Sequence, residues 1–257
     1  MGFLKTIYNG LFQFSKGKDS HHLCQMKNAV VTGSTKGMGR SIAEKLSSDG
    51  YRVWVSARNE DALKTAKCEI EGETGNEVII QALDFSDQVQ IENYANEILK
   101  ACGSVDVLVN NVGVYIPDNL KDEDQKLDIQ MAVNFYAPYY LTQKLLGKFK
   151  SQKEGSIFNI CSVVNRQPRV EAASYTISKF AFWGYHKLLH QTLLPLGVKV
   201  TGFFPSSINT ASWDGMEAPK EEFVQPEDVA EMISTILTMK RGTVPSEIDL
   251  VAINPDF

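Results

Sequence analysis

The stretch Asn28-Ala-Val-Val-Thr32, followed by Gly33-Ser-Thr-Lys-Gly37-Met-Gly39, decides the fold of this 257-residue chain. Its first five residues have the apolar pattern of a short buried strand, and Ile42, Ala43 and Leu46 recur at helical spacing after the glycines. Between a strand and a helix, glycines allow the backbone to approach a pyrophosphate, whose charge then meets the helix N-terminus. The pattern predicts a dinucleotide-binding turn, and a tight turn without a ligand is the alternative.

Strand-like and helical segments alternate along the rest of the chain. Right-handed crossovers turn such alternation into a doubly wound, mainly parallel sheet with helices on both faces. We therefore predict an α/β fold with about seven strands, formed by a single domain over residues 28–257 after an N-terminal arm over 1–27. The six further predicted strands cover 51–56, 77–83, 105–109, 156–160, 198–204 and 248–252, and predicted helices include 86–101, 128–150, 173–194 and 226–239.

Composition and charge exclude several classes of function. A hydrophobic content of 43% is enough for a full core, and a net charge of −5 without a basic cluster argues against nucleic acid as a partner. The cysteines Cys24, Cys68, Cys102 and Cys161 are scattered, with no C-x-x-C pair. This usage indicates reduced thiols in a cytoplasmic protein, with neither a disulfide framework nor a metal site.

Tyr175 and Lys179 form the most informative pair of polar residues, in Ser-Tyr-Thr-Ile-Ser-Lys. Positions i and i+4 share one face of a helix, which places the ammonium beside the phenol. A neighbouring cation favours the ionised form of a phenol and suits it for acid–base chemistry. Taken alone the pair is a weak signal, because a buried ring beside a solvated amine has the same spacing.

Further polar residues stand where the predicted strands end. Asp84 ends the third strand, Asn110-Asn111-Val112-Gly113 ends the fourth and Ser162 follows the fifth. Pro205 ends the sixth strand, and Thr210 lies shortly after it. Ligands of doubly wound folds bind beyond the carboxyl ends of the strands, so all of these residues are expected at one site.

In this order, and with Asn134, the motifs resemble the short-chain dehydrogenase/reductase family in its single-domain form, from about residue 28 to 252. The resemblance implies a Rossmann-like fold and an oxidoreductase with four catalytic residues. Tyr175 would protonate the carbonyl oxygen as hydride arrives, and Ser162 would hydrogen-bond that oxygen. Lys179 would favour the ionised form of Tyr175 and bind the nicotinamide ribose, while Asn134 would hold a water that relays protons. No metal is implied.

Charge predicts which dinucleotide is bound. An NAD-specific fold usually ends its second strand with a carboxylate, but this chain has Ser56-Ala-Arg-Asn59 there, with no acid before Glu60. Arg58 can grip a 2′-phosphate and Lys36 adds a second positive charge, so the prediction is NADP(H). Two solvated surface cations are the alternative. The predicted cofactor contacts are Gly33, Ser34, Lys36, Gly37, Met38, Gly39, Arg58, Asp84, Phe85, Asn111, Val112, Gly113, Tyr175, Lys179, Pro205, Ser206, Ile208 and Thr210.

The resemblance implies reduction of a ketone or aldehyde carbonyl to an alcohol, and it leaves the substrate open. A 3-oxoacyl thioester and a sepiapterin-like carbonyl are alternative substrates. An NADP(H)-binding regulatory or scaffold protein with little turnover is the alternative from another class. Arg169 is either a partner for an anionic substrate group or a solvated arginine. A short lid over 211–224 and nearby apolar residues are expected to form the cleft, namely Tyr115, Val163, Val164, Trp213, Met216 and Phe223.

Assembly and the N-terminal arm complete the predictions. Family members commonly pair through two long helices, here 128–150 and 173–194. Their aromatic stretches 135–140 and 180–183 suit an interface, so a homodimer or homotetramer is expected.

In the N-terminal arm, the apolar residues of 1–14 fall at helical spacing near lysines. That helix is too short and charged to span a bilayer, and it either packs on the protein or makes a peripheral membrane contact.

Overall fold

The computed structural model describes residues 26–122, 126–210, 213, 215 and 217–254. The predicted arm over 1–27 therefore lies almost wholly outside the described residues. The strands are β1 Asn28–Thr32, β2 Arg52–Ala57, β3 Val78–Ala82, β4 Val107–Asn110, β5 Ser156–Ile160, β6 Lys199–Pro205 and β7 Glu247–Leu250. The helices are α1 Gly37–Ser48, α2 Glu60–Thr74, α3 Gln88–Ala101, α4 Leu127–Met131, α5 Ala137–Gln152, α6 Ala173–Leu193 and α7 Pro226–Thr238.

The strands form one seven-stranded sheet in the order β3-β2-β1-β4-β5-β6-β7, and every pair in it is parallel. The strand order reverses between β1 and β4, which is where a crevice opens in doubly wound folds. The predicted fold class is confirmed.

Helices cover both faces of this sheet because side chains alternate along each strand. In β1, Ala29 and Val31 pack in a cluster with Ile42 of α1 and Ile233 of α7, whereas Val30 packs on the other face. There the cluster is closed by α3, α5 and α6 through apolar side chains such as Ile98, Leu141 and Phe182. Both faces are covered mainly by apolar side chains, so the carboxyl edge of the sheet is where a polar site can be placed.

Several predicted boundaries move by a few residues, and two of these shifts have a clear local cause. The helix predicted over 86–101 begins at Gln88, because the Asp87 carboxylate accepts hydrogen bonds from the backbone of Val89 and Gln90 and so caps it. The last strand, predicted over 248–252, ends at Leu250, since the Ala252 N–H donates to the Ser206 hydroxyl at 2.7 Å instead of extending the ladder. Strand β4, predicted over 105–109, runs from Val107 to Asn110.

The long helix predicted over 128–150 is not continuous. Between α4 and α5 the chain forms a π-helical turn over Ala132–Tyr136 that contains Asn134. Such single-turn insertions change the direction of the side chains around them and occur frequently at functional sites.

The surface predicted for self-association contains aromatic rings that are partly exposed, with Tyr136 43% and Phe180 38% exposed. Self-association stays a prediction.

Among the described helices, none has the length and apolarity needed to cross a bilayer.

Candidate active site

The glycine-rich turn after β1 is packed too closely for side chains. A Cβ on Gly39 would lie 2.3 Å from the carbonyl oxygen of Gly33 and 2.4 Å from Nδ2 of Asn111. Gly33 and Gly37 have φ values of +65° and +54°, a conformation that favours glycine. A Cβ on Gly37 would also meet Cγ2 of Thr210 at 3.1 Å, so the turn lies against the segment that follows β6.

Thr32 and Asn111 join the ends of β1 and β4 beneath this turn. The Thr32 hydroxyl accepts hydrogen bonds from the backbone N–H groups of Asn111 and Val112, both at 3.0 Å. In return, Nδ2 of Asn111 donates to the carbonyl oxygens of Thr32 and Gly33 at 2.8 and 2.9 Å. The crevice at the reversal point is therefore held by side-chain bonds. The sequence predicts Thr32 only as the last residue of the first strand, and its hydroxyl is an additional support of the crevice.

The positive groups around the turn fit a phosphate ligand. Helix α1 starts at Gly37 and has no acidic residue in its first turn, which leaves its positive end available to an anion. Lys36 and Arg58 are exposed, and within the described ranges neither is in an ion pair. Arg40, by contrast, is bound to Glu44 and Glu69. The two predicted cations thus have the freedom that a 2′-phosphate contact needs.

Ser34 is placed differently from the other predicted contacts. Its side chain is fully buried, donates to the carbonyl oxygen of Val31 at 2.7 Å and accepts from the Ser56 N–H at 3.2 Å. Its own N–H donates to the Ser56 carbonyl oxygen. Ser34 therefore joins the ends of β1 and β2, and a cofactor contact from it stays a prediction.

The remaining predicted cofactor residues lie along the same edge. Asp84 is exposed and accepts from the backbone and hydroxyl of Ser86, whereas Phe85 is buried and offers only its backbone. Pro205 is buried, and Ile208 forms a bridge to Val224 that closes the base of the predicted lid. The structure thus gathers the end of β3, the glycine turn and the segment after β6 along one crevice.

Lys179 is the buried cation at the centre of the site. It is 4% exposed, its ammonium donates to the Ile160 carbonyl oxygen at 2.9 Å, and it lies 5.7 Å from the centroid of the Tyr175 ring. The position of a Cβ on Gly113 is 3.8 Å from this ammonium and 3.4 Å from Oδ1 of Asn134. The predicted residues of β4, α6 and the π-helical turn therefore meet around one charge.

Ser162 caps the short turn Val163–Asn165 directly after β5. Its hydroxyl accepts from the Val164 N–H at 3.3 Å, and its own N–H donates to Oδ1 of Asn165 at 3.1 Å. Its hydroxyl donates no bond within the described part of the chain, so the proton remains available to a carbonyl oxygen. Burial raises the pKa of the neighbouring Cys161 thiol to about 12, which makes that sulfur a poor nucleophile.

Asn134 is fixed from both ends of its amide group. Oδ1 accepts from the Val114 N–H at 2.7 Å, while Nδ2 donates to the Val114 carbonyl oxygen and to the Ser178 hydroxyl, both at 2.9 Å. Both amide protons are therefore in use. A water held by this residue would have to bind the second lone pair of Oδ1 or the backbone, so the predicted relay stays a prediction.

The substrate side of the site has aromatic walls. Tyr115 is 57% exposed, and its ring meets that of Tyr175 edge-on, with centroids 5.3 Å apart. The rings of Trp213 and Phe223 in the predicted lid contact each other, with centroids 4.9 Å apart. Met216 lies outside the described residues. Arg169 is exposed near this opening.

Two buried polar residues of the site were missed by the sequence reasoning, namely Asp118 and Gln130. Asp118 accepts bonds from both the backbone and the hydroxyl of Ser174 and from the Lys126 N–H. Burial alone would raise the pKa of Asp118, but these hydrogen bonds lower it below its ordinary value. For Gln130 a signal existed, since it precedes Asn134 by one helical turn.

Comparisons with known proteins identify the family of the chain. The family model described as short chain dehydrogenase matches residues 27–221. A short chain dehydrogenase of Pseudocercospora fijiensis is 33% identical over 189 residues, which are 72% of this chain and 61% of that protein. The L-2,3-butanediol dehydrogenase of Corynebacterium glutamicum is 29% identical over 251 residues, covering 88% of this chain and 96% of that enzyme.

Solved structures support the same assignment. A metagenomic short-chain oxidoreductase in complex with NADP has a TM-score of 0.78 at 31% identity and covers 90% of this chain and 98% of its own. An alcohol dehydrogenase from the archaeon Thermococcus sibiricus, complexed with 5-hydroxy-NADP, has a TM-score of 0.81 at 26% identity, with coverages of 89% and 97%. The predicted family, fold and oxidoreductase class are confirmed, and the cofactors of these neighbours agree with the predicted type.

Proposed function

We propose, from the premise that the chain belongs to the short chain dehydrogenase family, that it is an NADP(H)-dependent oxidoreductase reducing a ketone or aldehyde to an alcohol. The observation that carries the proposal is the buried Lys179 ammonium between Asn134, Gly113 and the ring of Tyr175. A buried cation is costly unless its charge is used. Here it is placed to serve a proton donor and a ribose together.

The catalytic roles follow from the donors at the site. NADPH, when bound, supplies the hydride. Tyr175 gives its proton to the carbonyl oxygen, and its hydroxyl has no other hydrogen bond within the described residues. Ser162 holds the same oxygen with its free hydroxyl proton. Lys179 keeps a cation beside the phenol, so that negative charge left on the tyrosine oxygen is stabilised.

The residues present fit NADP(H) better than NAD(H). The glycine-rich turn leads into the start of α1, whose first turn carries no acidic residue and can hold the negative charge of a pyrophosphate. Arg58 is exposed at the end of β2 and Lys36 in the glycine turn. These two cations attract the 2′-phosphate that distinguishes NADP(H). The stretch from the end of β2 to Glu60 contains no carboxylate that would repel it.

Replacing Arg58 by aspartate should reverse the cofactor preference. Losing a charge-assisted contact costs about 1.5–3 kcal/mol, and repulsion adds to that loss, so NADPH should bind at least about tenfold more weakly. NADH should bind equally well or slightly better, and Lys36→Ala should shift the ratio less. The dissociation constants of both cofactors are measured for each variant.

Lys100→Asp is the matched control for this charge reversal, because Lys100 is 75% exposed and lies at the far end of α3. It should leave the ratio of the two cofactor affinities unchanged. A wild-type protein that already prefers NADH, or an Arg58→Asp variant with the wild-type ratio, contradicts the NADP(H) assignment.

The proposed activity is tested by following NADPH oxidation with a panel of carbonyl compounds. The panel contains simple ketones and aldehydes, a vicinal diketone, a 3-oxoacyl thioester and a pterin ketone, which cover the alternatives left by the sequence and the butanediol dehydrogenase relative. We expect turnover with at least one simple ketone or aldehyde. Tight NADPH binding without turnover on any member would instead support a regulatory protein.

A further inference from the structure

The segment 114–118, which follows β4 and borders the substrate opening, is held by side chains at alternate residues. Asn134 bonds both backbone polar groups of Val114. Gln130, which has no exposed surface, does the same for Ile116: its Oε1 accepts from the N–H at 3.2 Å and its Nε2 donates to the carbonyl oxygen at 3.0 Å. Two amides one helical turn apart thus bind the backbone of this segment in the way that a neighbouring strand would.

Asp118 is the third anchor and ties the segment to the catalytic helix. The carboxylate, 5% exposed, accepts from the Ser174 N–H at 3.0 Å and from its hydroxyl, and the Asp118 carbonyl oxygen accepts from the Ala173 N–H at 3.1 Å. Ser174 directly precedes Tyr175 in the first turn of α6. The segment and the proton donor are therefore fixed to each other.

Tyr115 lies between Val114 and Ile116, the two residues whose backbone groups these amides bind. Its backbone neighbours on both sides are bonded to the amides of Gln130 and Asn134, whereas its own side chain is 57% exposed. The ring stands at 83° to that of Tyr175, with centroids 5.3 Å apart. An aromatic ring with open surface is thus held beside the group that donates the proton.

We propose that Gln130 and Asp118 are positioning residues that fix this segment as a rigid wall of the cleft, and that Tyr115 determines specificity. The substrates it favours carry a flat aromatic or conjugated group next to the carbonyl. Aromatic pairs gain from edge-to-face or offset contacts in addition to the area they bury, and a saturated ring of equal size lacks that gain. This inference rests on the proposed carbonyl reduction and deepens it.

The first test compares methyl phenyl ketone with methyl cyclohexyl ketone, which have the same number of carbon atoms. The wild-type protein should have the higher kcat/KM on the phenyl ketone. Tyr115→Leu should lower the ratio of the two values by about three- to tenfold, as expected for one lost aromatic pair. Tyr115→Phe keeps the ring and should keep the ratio.

The second test separates positioning from plain stability with a matched pair of glutamines. Gln152 makes the same two bonds to the backbone of Val105, both at 2.9 Å, at the opposite edge of the sheet. Gln130→Met should raise KM for the phenyl ketone about tenfold, as for a displaced positioning group, and should lower the phenyl preference while the NADPH affinity is unchanged. Gln152→Met should change neither quantity, although both variants lose stability.

Equal kinetic behaviour of the two methionine variants would overturn the positioning function. If Gln130→Met does not fold, Ser174→Ala, which removes one bond to Asp118, takes its place and should lower the same ratio. Reduction of both ketones with an unchanged ratio in Tyr115→Leu overturns the inference and leaves the proposed function standing. If the wild-type protein turns over no carbonyl compound of the panel, the proposed function is wrong, and so is the inference that rests on it.

Discussion

Replacing Tyr175 by phenylalanine should lower kcat by at least about a hundredfold, because a positioned general acid typically contributes roughly 10²–10⁴-fold. The ring should stay in place, since it packs edge-on against Tyr115 and close to the Lys179 ammonium. The NADPH dissociation constant should therefore remain within about twofold of wild type, as expected for a group whose contact is made mainly in the transition state. Single-turnover NADPH oxidation and a cofactor titration measure the two quantities.

Tyr115→Phe is the natural control for this change. It removes a phenolic hydroxyl from the ring that touches Tyr175, and its hydroxyl has no proposed part in proton transfer. That variant should keep most of the turnover on a simple ketone. A Tyr175→Phe variant that retains more than about a tenth of the wild-type rate is incompatible with the general-acid function.

The alternation of strands and helices was sufficient to predict the sheet, because in this fold every strand is parallel and the inner strands β1, β4 and β5 are fully buried. The bounds of α2 do not follow from that alternation: they are set by Asn59, whose side chain caps the helix, and by Gly75, whose φ of +70° ends it. The π-helical turn at Ala132–Tyr136 could not be predicted, since the residues on both sides have ordinary helical spacing. Within the turn, Asn134 is bonded to the backbone of Val114, a contact that no local pattern of the sequence predicts.

At the site, the sequence predicted the residues whose function requires one particular residue type. Lys179, Tyr175 and Gly39 are of this kind, and the structure brings the first two together. Gln130 and Asp118 were missed because most of their partners are backbone groups, and the spacing of Gln130 from Asn134 does not by itself indicate a function. Ser34 is the opposite case. Its place in the glycine-rich turn predicts a cofactor contact, whereas its hydroxyl is bonded to backbone groups of β1 and β2.

Lys179 differs from the other site residues because its one charge serves two functions in the proposed reaction. The ammonium donates to the Ile160 carbonyl oxygen, which holds it in place and leaves its other protons for a ribose hydroxyl or the phenol. The position of a Cβ on Gly113 is 3.8 Å from the nitrogen, so the segment after β4 lies in van der Waals contact with the ammonium. Losing the charge should therefore affect cofactor binding and turnover together.

We accordingly expect Lys179→Met to weaken NADPH binding at least about tenfold and to lower kcat by about a hundredfold or more, since the proton donor loses its electrostatic support. Cofactor titration and single-turnover rates separate the two effects, and Tyr175→Phe should show only the second. Lys187→Met is the control, because Lys187 lies on the same helix, is 52% exposed and pairs with Glu247 away from the phenol. If the NADPH affinity of Lys179→Met equals that of wild type, the ribose contact is wrong. The buried ammonium then serves Tyr175 alone.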